Sequence, residues 1–306
     1  MHTTAEFSRA LLHPKYWGMW LGVGVMRLLI LLPLATQFRL GAALGRTMMR
    51  LMPKRVHVAR RNLTHCLPEL SEPEREALIR KNFEETGMAL FDSANAWWWS
   101  DARVQRHMSV AGWEHIEQAQ VEGTGVLLMA AHCLMLEPGA RVFGQQRPGI
   151  GVYRPHNNKM MEYLQVKGRL RSNKGLIPKR EVRQMVKALR AGEVLWYTQD
   201  QDGGRRGSVF APFFGVEAAT AAGAATLAKL GKAKVYPFFV ERKADHSGYH
   251  IEVGAPLTDF PTGDELADTT RCNRVTEELV RRRPEQYMWL HRRFKTRPNA
   301  DDPKFY

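Results

Sequence analysis

The chain is predicted to be an α/β protein, with a central mixed β-sheet flanked by helices and a helical amino-terminal segment that opens with a membrane helix. Three observations carry this. Residues 16–34, YWGMWLGVGVMRLLILLPL, are apolar apart from Arg27. Residues 37–108 show helical periodicity, and from residue 109 short apolar runs alternate with helical stretches, the pattern of a sheet covered by helices. With 306 residues, 44% of them hydrophobic, the chain can bury a sizeable core. The expected organisation is a membrane anchor at 1–36, a helical membrane-associated segment at 37–108 and an α/β domain at 109–306.

At about 1.5 Å per residue, a helix over 16–34 would span roughly 28 Å, close to the thickness of a bilayer core. Arg27 would cost about 2.5–3.5 kcal/mol in mid-span, which the surrounding Leu, Ile, Val and Met residues offset; a shallow, tilted helix is the alternative. Downstream, Arg39, Arg46, Arg50, Lys54, Arg55, Arg60 and Arg61 outnumber Arg9 and Lys15 upstream, which places the body on the cytoplasmic side. Residues 37–65 read as an amphipathic helix, with Leu40, Leu44, Met48 and Leu51 opposite an arginine-bearing face. Ser71 followed by Glu74 is a capping signal for a helix that continues to Trp97, Trp98 and Trp99. Three consecutive tryptophans cannot share one helical face, so some must meet something other than an ordinary core.

In the α/β part, VAGWEHIEQAQ reads as strand then helix, GVLLMAAH as a buried strand, LEPGARVFG as a helix start and GIGVYRP as a strand. NNKMMEYLQVKGRLRSN and EVRQMVKALRAGE read as helices, VLWYTQD as a strand and AATAAGAATLAKLGK as a small-residue helix. KVYPFFVERK and YHIEVGAPL are paired strands, and DTTRCNRVTEELVRRRPEQYMW closes the chain as a long helix.

Charge narrows the partners. Lys and Arg number 45 against 31 Asp and Glu, a net charge of +14, which suits a polyanion: nucleic acid, an anionic membrane or a phosphorylated substrate. The segment at 281–298 mixes cations with Tyr287, Trp289 and Phe294; beside an apolar amino-terminal run it favours lipid over nucleic acid. Cys66, Cys133 and Cys272 form no CxxC pair, so neither a disulfide framework nor a zinc site is expected.

The chemistry centres on HCLMLE, where His132 follows a buried strand and Glu137 lies five residues on. Strand carboxyl ends are where ligands bind in such sheets. If His132 lies at or before the first helical turn, Glu137 can accept a hydrogen bond from one ring nitrogen and fix the tautomer while the other nitrogen removes a proton. The bland reading is a helix-capping glutamate beside a core histidine. The chain has no G-x-S-x-G elbow, P-loop or G-x-G-x-x-G fingerprint, so a substrate hydroxyl is the better nucleophile. A second cluster places Asp200, Asp202, Arg205 and Arg206 around two glycines. The arginines could grip phosphate or an acidic carrier protein, and paired aspartates alone do not make a metal site. Arg154, Lys159, Lys167, Arg169 and Arg171 form a basic stripe nearby.

ARRNL at 59, HCLMLEPGARVFG at 132, YRPHNNKMMEYLQ at 153, GLIPKREVRQMVKALRAGE at 175, WYTQDQDGGRRGSVFAPFFGV at 196 and QYMWLHRRFKTRP at 286 together resemble the late acyltransferases of bacterial lipid A biosynthesis. The likeness runs nearly end to end and is nearest to the lauroyl branch. It implies a glycerolipid-acyltransferase-like sheet, residence in the bacterial inner membrane with the catalytic domain facing the cytoplasm, and no cofactor or metal. It also implies an acyl carrier protein thioester as donor and a Kdo-bearing tetra-acyl lipid A precursor as acceptor. His132 and Glu137 match the family's H-x4-D/E motif, as base and partner. Arg169 and Asp200 fall in segments the resemblance associates with the active site, where they would hold phosphate and shape the acceptor pocket; Arg154 from the basic stripe and Asp202 and Arg205 from the glycine-flanked cluster are the other candidates for substrate binding. Pro138 and the alanine-rich stretch after FFGV depart from the pattern and bear on chain-length preference.

Overall fold

The computed structural model describes residues 6–299 and 301–306. Five helices come first: α1 (Trp17–Leu29), α2 (Leu34–Leu51), α3 (Pro53–Cys66), α4 (Glu72–Trp98) and α5 (Asp101–Arg106). Strand β1 (Met108–Ala111), helix α6 (Trp113–Val121), β2 (Gly125–Ala130), α7 (Leu136–Gln146), β3 (Ile150–Tyr153) and α8 (Lys159–Arg169) follow. Then come β4 (Gly175–Pro178), α9 (Val182–Arg190), β5 (Val194–Tyr197), β6 (Ser208–Phe213), β7 (Val216–Ala221), α10 (Gly223–Gly231), β8 (Ala233–Arg242), β9 (Tyr249–Val253) and α11 (Glu265–Arg282).

The expected membrane crossing is overturned: among the described residues no helix is long and apolar enough to span a membrane. The helix in the apolar run is cut short at Leu29, because Pro33 lacks an N–H and disfavours helical backbone at the residue before it. Gln37 accommodates the break by donating to the carbonyls of Ile30 (3.1 Å) and Leu32 (2.8 Å). The 13 residues left in α1 reach only about 20 Å. The single-pass inner-membrane placement drawn from residues 16–34 therefore falls. The expected helix over 37–65 is likewise two helices, split at Pro53 for the same reason.

α2 and α4 cross at unusually short range. A Cβ on Gly87 would sit 2.1 Å from the Gly41 carbonyl oxygen and 2.5 Å from the Gly45 nitrogen. Gly87→Ala is therefore expected to lower stability by about 1–3 kcal/mol or more, read as a lower denaturant midpoint at unchanged slope. Behind this crossing, the buried Arg242 of β8 pairs with Glu85 and Asp92 of α4, and Tyr249 of β9 donates to Asp92. This tethers the helical layer to the sheet.

The sheet has seven strands in the order β1-β9-β8-β2-β5-β3-β4. β8, β2, β5, β3 and β4 are parallel, whereas β9 runs antiparallel to β8 and carries β1 parallel to itself. β2, at the centre, is buried throughout. Its alternate residues divide between two cores: Val126, Leu128 and Ala130 join Phe143, Trp196 and Phe238, while Leu127 and Met129 join Leu195, Val235 and Leu227.

β4 and β6 have no counterpart in the elements expected from the sequence, and others are displaced. β4 is only four residues long. The stretch read as a small-residue helix from 218 begins as β7, a hairpin partner of β6 closed by Phe214 and Gly215, both at positive φ. Pairing and burial of Ala218 and Ala219 override alanine's helix preference there. The last helix stops at Arg282, just before Pro284. Tyr287, Trp289 and Phe294, expected against lipid, are core residues packed on Phe213 and Leu63.

Candidate active site

β2 and β5 are adjacent and parallel, with Met129 opposite Tyr197. Three residues beyond each of these come His132 and Asp200, so the register of two strands delivers both side chains to the same edge of the sheet. His132 Nδ1 lies 2.6 Å from Asp200 Oδ1, and the His132 backbone N–H donates to Asp200 Oδ2 at 2.8 Å. The aspartate is fully enclosed, with 1% of its side chain exposed, whereas the imidazole keeps 22%. Burial alone would raise the Asp200 carboxyl. The positive field and hydrogen bonds of His132, with the Tyr287 hydroxyl, overcome burial and hold it at about 2. Tyr287, pushed well above its ordinary value first by burial and then by Asp200, stays a donor.

With Asp200 accepting from Nδ1–H, Nε2 is the free lone pair. It faces the Thr198 hydroxyl at 3.1 Å, as an alcohol would sit before giving up its proton. Cys133, the neighbouring thiol, is no rival nucleophile: burial pushes it up to about 12, leaving no thiolate at neutral pH.

The expected pairing of His132 with Glu137 is corrected. Glu137 falls inside the first turn of α7, where Pro138 is accommodated, and its carboxylate turns to α8 and α4. Arg169 donates to Oε1 from Nε (2.9 Å) and Nη2 (2.5 Å), and Trp97 Nε1 donates to Oε2 at 2.8 Å. Arg169, a candidate for substrate binding, thus turns two of its N–H donors to Glu137. A cavity of about 60 Å³ touches Glu137, Arg169 and Thr198, with Leu136, Val152 and Trp196 as apolar walls.

The remaining candidates separate. Asp202 accepts from the Thr296 N–H (2.7 Å), the Thr296 hydroxyl (2.9 Å) and the Gly204 N–H (2.9 Å), closing a loop on the carboxyl-terminal segment. Arg205 donates to the carbonyls of Pro298 and Arg297 and does the same work. Asp202 is thus taken up within the chain, whereas Arg205 is exposed and engages only its two terminal nitrogens there. Arg154 lies exposed just past the end of β3, on the edge of the sheet that carries His132. Thr198 and Tyr287 were not anticipated. The clue for Thr198 was its position directly after a strand beside β2; Tyr287 arrives from a distant segment and left no local signal.

A sheet edge that presents a carboxylate-held imidazole to a hydroxyl is an arrangement able to activate an alcohol for attack. Comparison with known proteins makes this specific. Residues 4–296 match the family described as bacterial lipid A biosynthesis acyltransferase, and the chain belongs to that family. The lipid A biosynthesis lauroyltransferase of Escherichia coli (strain K12) is 47% identical over 301 residues, 98% of each chain. The palmitoleoyltransferase of the same organism is 42% identical over 299 residues, 97% of each, and a lipid A biosynthesis acyltransferase of Haemophilus influenzae is 40% identical over 305, 98% of this chain and 97% of the other. The protein is a late acyltransferase of lipid A biosynthesis.

Proposed function

We propose that this enzyme moves a lauroyl group from an acyl carrier protein thioester to the hydroxyl of a 3-hydroxyacyl chain on the Kdo-bearing, tetra-acylated lipid A precursor, with His132 as general base. The observation that carries the reading is the Asp200–His132–Thr198 line. The acceptor hydroxyl takes the place of the Thr198 hydroxyl at Nε2 and loses its proton there as its oxygen attacks the thioester carbonyl. The C–S bond then breaks, and the imidazolium returns the proton to the departing thiolate, so no acyl group is held by the protein. Asp200 fixes the tautomer and steadies the imidazolium. Glu137 is a positioning residue, holding Arg169 and the first turn of α7 beside the strand end. What supports lauroyl over other chains is the 47% identity to a lauroyltransferase.

Charge and surface support these partners. A +14 chain suits an acidic carrier and a phosphorylated glycolipid, with Arg154 exposed at the reactive edge. The outward faces of α1 and α2, with Trp17, Leu21, Leu28, Leu40, Leu44 and Leu51 exposed, suit contact with a lipid surface rather than a crossing.

The test is product mass. Purified enzyme given the precursor and a mixture of acyl carrier thioesters is expected to yield a precursor heavier by one acyl group, dodecanoyl ahead of the others. Folded enzyme that transfers nothing from any donor overturns the reading, whereas a preference for a sixteen-carbon donor overturns only its lauroyl part.

A further inference from the structure

Two features of the sequence are left over from this chemistry: the lone arginine of the apolar run and, apart from the bond of Trp97 to Glu137, the tandem tryptophans. The fold brings them together. α1, the end of α4 and α8 enclose a pocket of about 410 Å³ walled by Trp20, Trp97, Trp98 and Tyr163. Arg27, Lys167 and Arg171 also line it, and among the described residues no Asp or Glu does.

Each cation is held by a neutral group. The Arg27 guanidinium lies 5.5 Å from the centre of the Trp98 ring, Lys167 Nζ is 2.9 Å from the Tyr163 hydroxyl, and Arg171 Nη1 donates to the Trp97 carbonyl at 2.8 Å. Among the described residues none of the three is in a salt bridge. Arg171 is held below its ordinary value by burial first and then by the positive charge of Arg141, with Arg27 adding to it against the opposing pull of Asp101. An anion in the pocket relieves that repulsion, and the rings offer an apolar bed beside it.

We propose that this pocket binds a phosphate-bearing amphiphile, its phosphate among Arg27, Lys167 and Arg171 and its alkyl part on Trp20, Trp98 and Tyr163. The pocket also shares a wall with the catalytic edge. One side of Trp97 lines it while Trp97 Nε1 donates to Glu137, and the ring lies directly on the backbone of α8, where a Cβ on Gly168 would fall 2.3 Å from it. Two sources carry this chemistry: the phosphorylated glycolipid acceptor, an assignment that rests on the proposed function, and a phospholipid of a bilayer against the outer face of α1.

Three tryptophans in the wall make binding visible. Titrating the full chain with dodecyl phosphate and with uncharged dodecyl maltoside, both below micelle formation, is expected to change tryptophan emission with about 10-fold or more tighter binding of the phosphate. The double variant Arg27→Gln/Lys167→Gln, with an unchanged melting temperature, is expected to abolish that preference. A raised acceptor KM with donor KM unchanged in the double variant assigns the site to the glycolipid. An unchanged acceptor KM with weaker association to phosphatidylglycerol vesicles assigns it to bilayer phospholipid. Equal affinity for the two detergents, or a preference that survives the double substitution, overturns the proposal. Wild-type protein that binds dodecyl phosphate selectively but transfers no acyl group overturns the proposed function and leaves this site standing.

Discussion

His132→Ala is expected to leave a folded protein whose kcat for acyl transfer is lower by about 100-fold to 10,000-fold, the usual contribution of a general base. The fold should survive because the imidazole lies beyond the last residue of β2, partly exposed, and none of the cores depends on it. Circular dichroism and the denaturation midpoint check the first half, and single-turnover transfer from a lauroyl carrier thioester checks the second. A folded variant with near-normal transfer removes His132 from the chemistry.

Asp200→Asn is expected to be almost as damaging, on the order of 100-fold or more, although it changes neither size nor shape. The aspartate meets two donors from the same residue, the His132 backbone N–H and the ring Nδ1–H. Asparagine has one acceptor oxygen, so one donor must face its amide group. If that is the ring, the imidazole adopts the other tautomer, Nε2 carries the proton, and the base is lost. The ring nitrogen chemical shifts of His132 report this directly: they should move in Asp200→Asn and stay in place in Glu137→Gln, whose contacts run to Arg169 and Trp97. Equal movement in both variants would return Glu137 to the role first expected of it. Because the Asp200 carboxyl sits at about 2 when folded against about 3.9 unfolded, its contribution to stability is fully present above pH 4 and is lost as pH falls through 2.

Much of the fold is legible in local pattern. The alternation after residue 109 marks a sheet covered by helices, the burial of GVLLMA marks its central strand, and Ser71 with Glu74 marks the capping box that opens α4. The misreadings share one cause, which is that a local signal lost to context. Pro33 and Pro53 cut helices whose apolar pattern runs through them, and hairpin pairing turned an alanine-rich stretch into β7. The aromatic and basic residues near the carboxyl terminus looked like a lipid-facing surface, but Tyr287, Trp289 and Phe294 found partners on α3 and β6. Composition does not reveal which ring will be covered.

By itself the sequence determined the class of fold, the strand end that carries His132 and the family, because these depend on periodicity and on short motifs that persist in any conformation. Only the tertiary structure decided which carboxylate serves the imidazole. Asp200 is 68 residues away and arrives through the register of two parallel strands, whereas Glu137, five residues along, is carried by the first turn of α7 toward Arg169. Closeness along a chain constrains distance, but the direction in which a side chain points is set by the backbone it stands on and by the charge waiting across the gap.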